Sequence, residues 1–228
     1  MMLTPIAVSE NSLSFPGLRR DFPLSRDRGQ APGPIGIPMS FARNAEIYGE
    51  GEISGCVYKV VSGVVRVSKL LPDGRRQIGA FHMAGDMFGF DPDDVRHFSA
   101  ETIVPTKVLV FRGQSQLSKG MQSEAFLREL LSAATRELRH TQEQLLIVGR
   151  KNALERVAAF LLEMADRAGK KTVLELPMPR HDIADYLGLT LETVSRMFAQ
   201  LKELGAIKLE GARRVKFLDR ERLASIGA

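Results

Sequence analysis

The chain has 228 residues, with 32 Lys and Arg against 27 Asp and Glu for a formal charge of +5, and a single cysteine, Cys56. That length suits one large domain or two ordinary ones, and the small positive excess permits an anionic partner without demanding one. A lone cysteine excludes an internal disulfide framework, and it excludes an iron–sulfur cluster or a structural zinc held by the chain's own thiolates; a reducing, cytoplasmic setting fits best.

Residues 1–38 are rich in Pro, Ser, Gly and Arg without any period and read as a mobile N-terminal arm. The stretch LRRDFPL at 18–24 looks like an export signal, but SRDRGQAPGPIG follows it where an apolar run is required, so export is rejected. No stretch approaches the roughly 20 apolar residues of a membrane span, and the chain reads as soluble with no membrane partner.

Residues 39–118 form the next unit. Between about 41 and 113 it is built from short valine-rich runs broken by glycine: CVYKVVSG, VVRVSKLLPDG, RRQIGAFHMAGDMFGF and ETIVPTKVLVFRG. β-branched runs of this length between turn residues predict antiparallel strands wound into a small β-roll. LLPDGRRQ is the clearest hairpin, with Pro72 preset for the turn and Gly74 able to take positive φ. Cys56 opens one of these runs and reads as a half-buried strand residue.

Residues 119–149 change period. Leu127, Leu131, Ala134, Leu138, Thr141, Leu145 and Val148 follow one another at alternating steps of four and three, a heptad seam. A helix from about 122 to 148 would span roughly 40 Å. Such a stripe either packs on the chain's own roll or pairs with a second copy. Its narrowness, regularity and length favour a homodimer seam of Leu127, Leu131, Leu138, Leu145 and Val148, with polar Thr141 as the weak point. The following GRKNALERVAAFLLEMADRAG reads as continued helix up to Gly169.

Residues 150–228 carry 15 of the basic and 11 of the acidic residues. Within HDIADYLGLTLETVSRMFAQLKELGAI, Gly188 stands where two short helices would cross with no room for a side chain. Ile183, Ala184 and Leu187 fill the inner face of the first helix, and Leu189, Val194 and Met197 that of the second. Thr190 is placed to cap the second helix. Leu191, Glu192, Ser195, Arg196 and Gln200 are left facing outward. An arginine donates twice to guanine, a glutamate accepts from cytosine or adenine, and a leucine meets a thymine methyl, so this is a base-reading face in chemical terms. The plain alternative is a solvated surface with a Glu192–Arg196 pair worth a few tenths of a kcal/mol. We assign base reading to Leu191, Glu192, Ser195 and Arg196. DNA-backbone contacts are assigned to Thr190, Thr193 and Gln200 and to Arg213, Arg214 and Lys216 on the β-hairpin wing written in GAIKLEGARRVKFLD. The fold class is α+β: an N-terminal antiparallel β-roll, a long dimerisation helix and a C-terminal winged helix-turn-helix that binds double-stranded DNA.

That order of units, with GRKNALERVAAFLLEMADR and LTLETVSRMFAQLKELGAI, resembles the Crp/Fnr family of bacterial transcription regulators, and within it the FixK-like branch. The resemblance implies that Glu192, Ser195 and Arg196 read a TTGAT half-site within a TTGAT-N4-ATCAA palindrome. It also implies a homodimer that works with RNA polymerase, as an activator, on genes of microaerobic respiration, nitrogen-oxide metabolism or nitrogen fixation. Family members that sense oxygen hold a cluster on N-terminal cysteines, and no cysteine precedes Cys56 here. Members that bind cyclic nucleotides use a glycine–glutamate pair and an arginine. Here the matching stretch is FGFDPDDVRHFSAETI, where Phe90 or Asp91 replaces the glutamate and His97 stands near the arginine's place. A cyclic phosphate there meets Asp91, Asp93 and Asp94, with Arg96 as the one cation able to offset them. The expectation is therefore DNA binding with no obligatory cofactor and no metal. The alternative within the family is a haem or nitric-oxide sensor using His82, His97, His140 or Cys56. A remote alternative is a cupin-type metalloenzyme, for which His82 and His97 stand too far from other ligands in sequence. A redox role for Cys56 would need exposure and a lowered pKa.

Overall fold

The computed structural model describes residues 36–91, 93–112 and 124–227. The expected arm and the stretch at 113–123 lie outside them, apart from the arm's last three positions. The first strand takes in 37 and 38, because Ile37 and Pro38 already pair with Val110 and Leu109.

Eight strands make the roll: β1 Ile37–Phe41, β2 Glu46–Tyr48, β3 Cys56–Ser62, β4 Val64–Leu70, β5 Arg76–Met83, β6 Met87–Phe88, β7 Ser99–Thr102 and β8 Thr106–Arg112. They form two antiparallel sheets ordered β1-β8-β3-β6 and β2-β7-β4-β5. Alternation along the strands buries one face of each sheet, where Tyr48, Tyr58, Val60, Val65, Phe88 and Val108 make the roll's own core. The β4–β5 hairpin closes through Leu71–Gly74: the Gly74 N–H donates to Leu71 O at 2.9 Å, and Gly74 takes φ +82°. Pro72 occupies the second turn position, where its fixed φ is already correct.

Helix α1, Glu124–Arg150, carries two apolar stripes. One is occupied: Phe126 and Ala133 pack with Met87 and Phe111 of the roll, with Leu130 beside them. The other is the heptad seam, where Leu131, Leu138 and Leu145 are 70, 60 and 72% exposed and Leu127 is 38% exposed. Val148 at its end is half-buried. Thr141 does not leave its hydroxyl unsatisfied on the seam, because the hydroxyl donates back to Glu137 O at 2.9 Å.

The reading of continuous helix to Gly169 is corrected here. Helix α1 stops at Arg150 and a separate helix α2, Ala153–Arg167, begins at a capping box. The Asn152 side chain accepts from the Leu154 and Glu155 N–H groups, and the Glu155 carboxylate accepts from the Asn152 N–H at 2.9 Å. Asn-x-x-Glu is an N-terminus signature, and such a cap contributes about 0.5–2 kcal/mol. Arg156 braces the break, donating to Lys151 O, Val148 O and Leu187 O at 2.9, 2.8 and 3.0 Å.

The remaining elements are β9 Val173–Glu175, α3 Arg180–Leu187, α4 Leu191–Glu203, β10 Ile207–Leu209, β11 Arg214–Phe217 and α5 Arg220–Gly227. Strands β10, β11 and β9 form a three-stranded antiparallel sheet in that order. A single apolar core joins α2, α3, α4 and this sheet to Val64, Ile78, Phe81 and Ile103 of the roll. The C-terminal part is thereby packed directly on the roll as well as joined to α1. No helix among the described residues is long and apolar enough to cross a membrane.

Candidate nucleic-acid interface

Helices α3 and α4 bury the faces that the sequence pattern assigns to them. Ile183, Ala184 and Leu187 from α3 and Val194 and Met197 from α4 are buried, Leu189 is half-buried, and Tyr186, Phe198 and Leu201 join them. Gly188 sits at φ +63°, ψ +40°, and the N–H groups of Gly188 and Leu189 both donate to Ala184 O. The reason for this glycine differs from the expected one. A Cβ at 188 would meet nothing closer than 3.9 Å, so space does not exclude a side chain; the left-handed backbone that ends α3 selects glycine.

Thr190 caps α4, its hydroxyl oxygen accepting from the Thr193 N–H at 3.2 Å and lying 3.1 Å from the Thr193 hydroxyl. Both threonines assigned to the DNA backbone thus also hold the helix end. Beyond the cap, Leu191, Glu192, Ser195, Arg196 and Gln200 share the outward, exposed face of α4. The Glu192 carboxyl is held below its usual value, first by its own backbone N–H and then by the Thr190 hydroxyl. Glu192 turns back toward the helix start and not across to Arg196.

The wing separates the three cations expected to meet phosphate. Lys216 is exposed on β11 directly opposite exposed Lys208 on β10. Like charges at facing positions repel one another, so the pair favours an anion between or above them. Lys208 was missed by sequence reading, although the alternation in IKL and RVK carries the signal. Arg214 is exposed and pairs with Glu210 at 3.2 Å. Arg213 is half-buried and lines a cleft with Met83 and Val104 of the roll and Leu174 and Leu176 of the C-terminal part. It faces the roll and does not share the exposed face of Arg214 and Lys216.

A second missed residue is Arg180, the first residue of α3. Its guanidinium stacks 3.1 Å from the Phe198 ring centroid, and its Nη1 is buried without a hydrogen-bond partner. Burial pushes its pKa down to about 10. A cation at a helix N-terminus opposes the helix dipole, so PRHD at the head of a short helix is the signal that could have found it.

Two family profiles cover this architecture: one described as a cyclic nucleotide-binding domain matches residues 38–122, and one described as a Crp-like helix-turn-helix domain matches residues 155–226. The nitrogen fixation regulation protein FixK of Azorhizobium caulinodans is 43% identical over 194 residues, covering 83% of this chain and 78% of its own length. FixK of Rhizobium meliloti is 41% identical, covering 86% of this chain and 90% of its own. The chain belongs to the Crp/Fnr family of DNA-binding transcription regulators. The solved structure of FixK2 from Bradyrhizobium japonicum is similar to it, with a TM-score of 0.79 and 45% identity, covering 85% of this chain and 98% of that one. The matching relatives are regulators, and the metalloenzyme alternative is set aside on that ground.

In this Crp/Fnr regulator the residues of the roll do not fit a cyclic nucleotide. Arg96, the cation that the sequence sets among Asp91, Asp93 and Asp94, is 2% exposed and already engaged. It donates to Gly89 O at 2.9 Å and Cys56 O at 2.6 Å, pairs with Asp91 at 2.5 Å, and stacks 4.1 Å from the Tyr48 ring centroid. Asp91 supplies from within the chain the negative charge that a phosphate would bring. Exposed His97 pairs with Asp93 at 2.8 Å. Of the other residues weighed as haem ligands, His82 is buried and stacked on Phe88, His140 pairs with Glu163, and Cys56 is half-buried at the start of β3. Among the described residues no three His, Cys, Asp or Glu side chains group to hold a metal ion.

Proposed function

We propose that the chain binds a TTGAT-N4-ATCAA palindrome as a homodimer, without an obligatory cofactor, and activates transcription in the cytoplasm by engaging RNA polymerase. The observation that carries the reading is the outward face of α4. Leu191, Glu192, Ser195 and Arg196 all stand exposed on a helix whose other side is fully committed to the core. A rigid helix presenting a bidentate donor beside an acceptor and an apolar contact is suited to base edges in the major groove.

Dimerisation runs through the exposed seam of α1, Leu127, Leu131, Leu138 and Leu145, continuing to Val148. Its apolar area flanks the stripe that the roll already covers and stays exposed along the length of the helix, so a second copy is the partner that matches its period. Phosphate contacts come from Lys208, Arg214 and Lys216 on the wing and from Thr193 and Gln200 beside the reading face. Arg180 joins them as a half-buried cation at a helix N-terminus, where a phosphate is favoured. The names of the FixK relatives support regulation of nitrogen-fixation genes, and that of the transcriptional activatory protein AadR of Rhodopseudomonas palustris, at 42% identity, supports activation.

Purified protein with no added nucleotide, haem or iron should retard a TTGAT-N4-ATCAA duplex in a gel-shift titration and leave a scrambled duplex unshifted at the same concentration. Retardation that appears only after one of those groups is added would overturn the cofactor-free reading.

A further inference from the structure

One group of charges lies away from the outward face of α4, between the roll and α3. Asp182 on α3 has no exposed surface, yet it meets two guanidinium groups and an imidazole. Arg66 Nη1 of β4 donates to its Oδ2 at 2.9 Å, Arg76 Nη2 of β5 to its Oδ1 at 2.5 Å, and His181 Nε2 lies 3.0 Å from Oδ1. Arg76 reaches on to Asp185 through Nε and Nη2 at 2.9 and 2.7 Å, and Arg66 Nε donates to Glu101 of β7 at 3.0 Å. The cluster joins two strands of the roll to the first helix of the DNA-reading unit. Alongside it, Gln77 donates to Tyr186 O at 3.4 Å.

At its other end the same helix is held to α1. Gln144 of α1 donates to Tyr186 O at 3.1 Å, and Arg156 ties Leu187 O to Val148 O. The α3–α4 unit is therefore attached both to the dimer helix and to the roll: Gln144 and Gln77 share Tyr186 O, and the charge cluster adds the bridges at Asp182 and Asp185. One attachment would leave it free to pivot about the two residues between α1 and α2. Apolar packing beneath it, such as Phe81 against Tyr186 with centroids 5.0 Å apart, tolerates sliding; forked hydrogen bonds between charged groups do not. A buried ion cluster adds little net stability against an apolar core, and its best-attested use is to select one register.

We propose that the partly buried cluster of Arg66, Arg76, Asp182 and Asp185 sets the half-site spacing that the regulator accepts. The inference rests on the homodimer reading of a palindrome given above. In a two-fold dimer the angle of α3–α4 against the rest of its subunit fixes both the separation and the relative rotation of the two reading helices. One added base pair moves a half-site by about 3.4 Å and turns it by about 34°. Neither change fits while the bridges from Arg76 to Asp182 and Asp185 stay within hydrogen-bonding distance.

The test titrates full-length wild type, Arg76→Met, Arg76→Lys and Asp185→Asn against duplexes whose identical half-sites are separated by three, four, five or six base pairs. A further duplex has the guanine of each half-site replaced. Circular dichroism and light scattering establish that each variant is folded and dimeric. Wild type should favour the four-base-pair spacer. Arg76→Met should lose about tenfold of the preference for four over five while keeping its preference for the intact guanine. Arg76→Lys should recover part of it. Asp185→Asn, which leaves Asp182 paired with both arginines, should lose a smaller part and carries the test if Arg76→Met does not fold. A folded dimeric variant with the wild-type spacing preference, or one weakened equally at every spacing, overturns the inference. Wild type that reads half-site bases but accepts every spacing overturns this inference and leaves the DNA-reading proposal standing; wild type that does neither overturns both.

Discussion

The phenol oxygen of Tyr186 lies 3.2 Å from Nε2 of His140, and the same nitrogen lies 2.9 Å from a Glu163 carboxylate oxygen. The first helix of the DNA-reading unit is therefore linked to the middle of α1 through a titratable ring. Because the carboxylate only accepts, Nε2 carries the proton in this arrangement. The Glu163 hydrogen bond is the largest cause of a raised His140 pKa. A folded value above the unfolded one gives stability that is complete below about pH 6.5 and is lost as pH rises through the folded value. Urea unfolding of wild type should therefore lose stability as pH rises above about 6.5, and His140→Gln should flatten that decline. An unchanged slope in the variant would remove this pair from the account.

His82 sets the opposite flank. It is buried on β5 and burial pushes its pKa down to about 4. A depressed folded value gives stability that is present above the unfolded pKa of about 6.5 and is lost as pH falls toward 4. Between pH 7 and 5 the loss amounts to about 2 kcal/mol. His82→Phe keeps a ring beside Phe88 and should remove that part of the acid slope in urea titrations, whatever it does to stability at pH 7.

The seam of α1 predicts the oligomeric state. Leu138→Glu combined with Leu145→Glu places four carboxylates in a two-helix seam and removes apolar burial of about 1.5–3 kcal/mol for each leucine. Light scattering should then report a monomer of unchanged helix content. A persisting dimer would move the interface to another surface.

Base reading and phosphate binding separate by substitution. Arg196→Ala should cost about 1–3 kcal/mol per half-site and relax preference at the guanine pair. Lys216→Ala should weaken specific and random duplexes alike and flatten the salt slope by about 0.9 for each phosphate it no longer neutralises. Glu192→Ala should lose discrimination with random binding level or higher, since a carboxylate repels phosphate. Its place in the first turn of α4 already gives it a structural partner in the helix dipole. Equal weakening on every duplex would mean that the helix end is its whole role.

Arg180 gives a test on the helix that does not read bases. Arg180→Ala should weaken random and specific duplexes in parallel and leave base preference intact, as measured by competition titration. Because its Nη1 makes no hydrogen bond, removing this half-buried cation should not lower the unfolding midpoint. A large fall in that midpoint would make the Phe198 stack structural.

Periodic and local features were legible because they depend on neighbours in sequence. The 4–3 spacing from Leu127 to Leu145 needs only helical geometry to become a stripe, and Pro72 with Gly74 makes its hairpin from four residues. The inner faces of α3 and α4 follow from the same arithmetic. One local signal was legible and was read past: Asn152 and Glu155 stop α1 and start α2, where apolar periodicity alone runs on.

What the sequence by itself determined is the set of elements, their amphipathic faces, the outward residues of α4 and the absence of thiolates before Cys56. Only the tertiary structure decided which charges meet. Arg66 and Asp182 are 116 residues apart, Arg76 and Asp185 are 109 apart, and Arg96 reaches Cys56 O across 40. Charged residues in surface-like patterns look alike in sequence whether they end in water or in a buried cluster. The difference is a desolvation cost that partners must offset, and those partners are chosen by how sheets and helices stack. For the same reason Arg213, in the turn before β11, lines a cleft with roll residues while Lys216 stays exposed on the strand: neighbours brought by packing decide each environment.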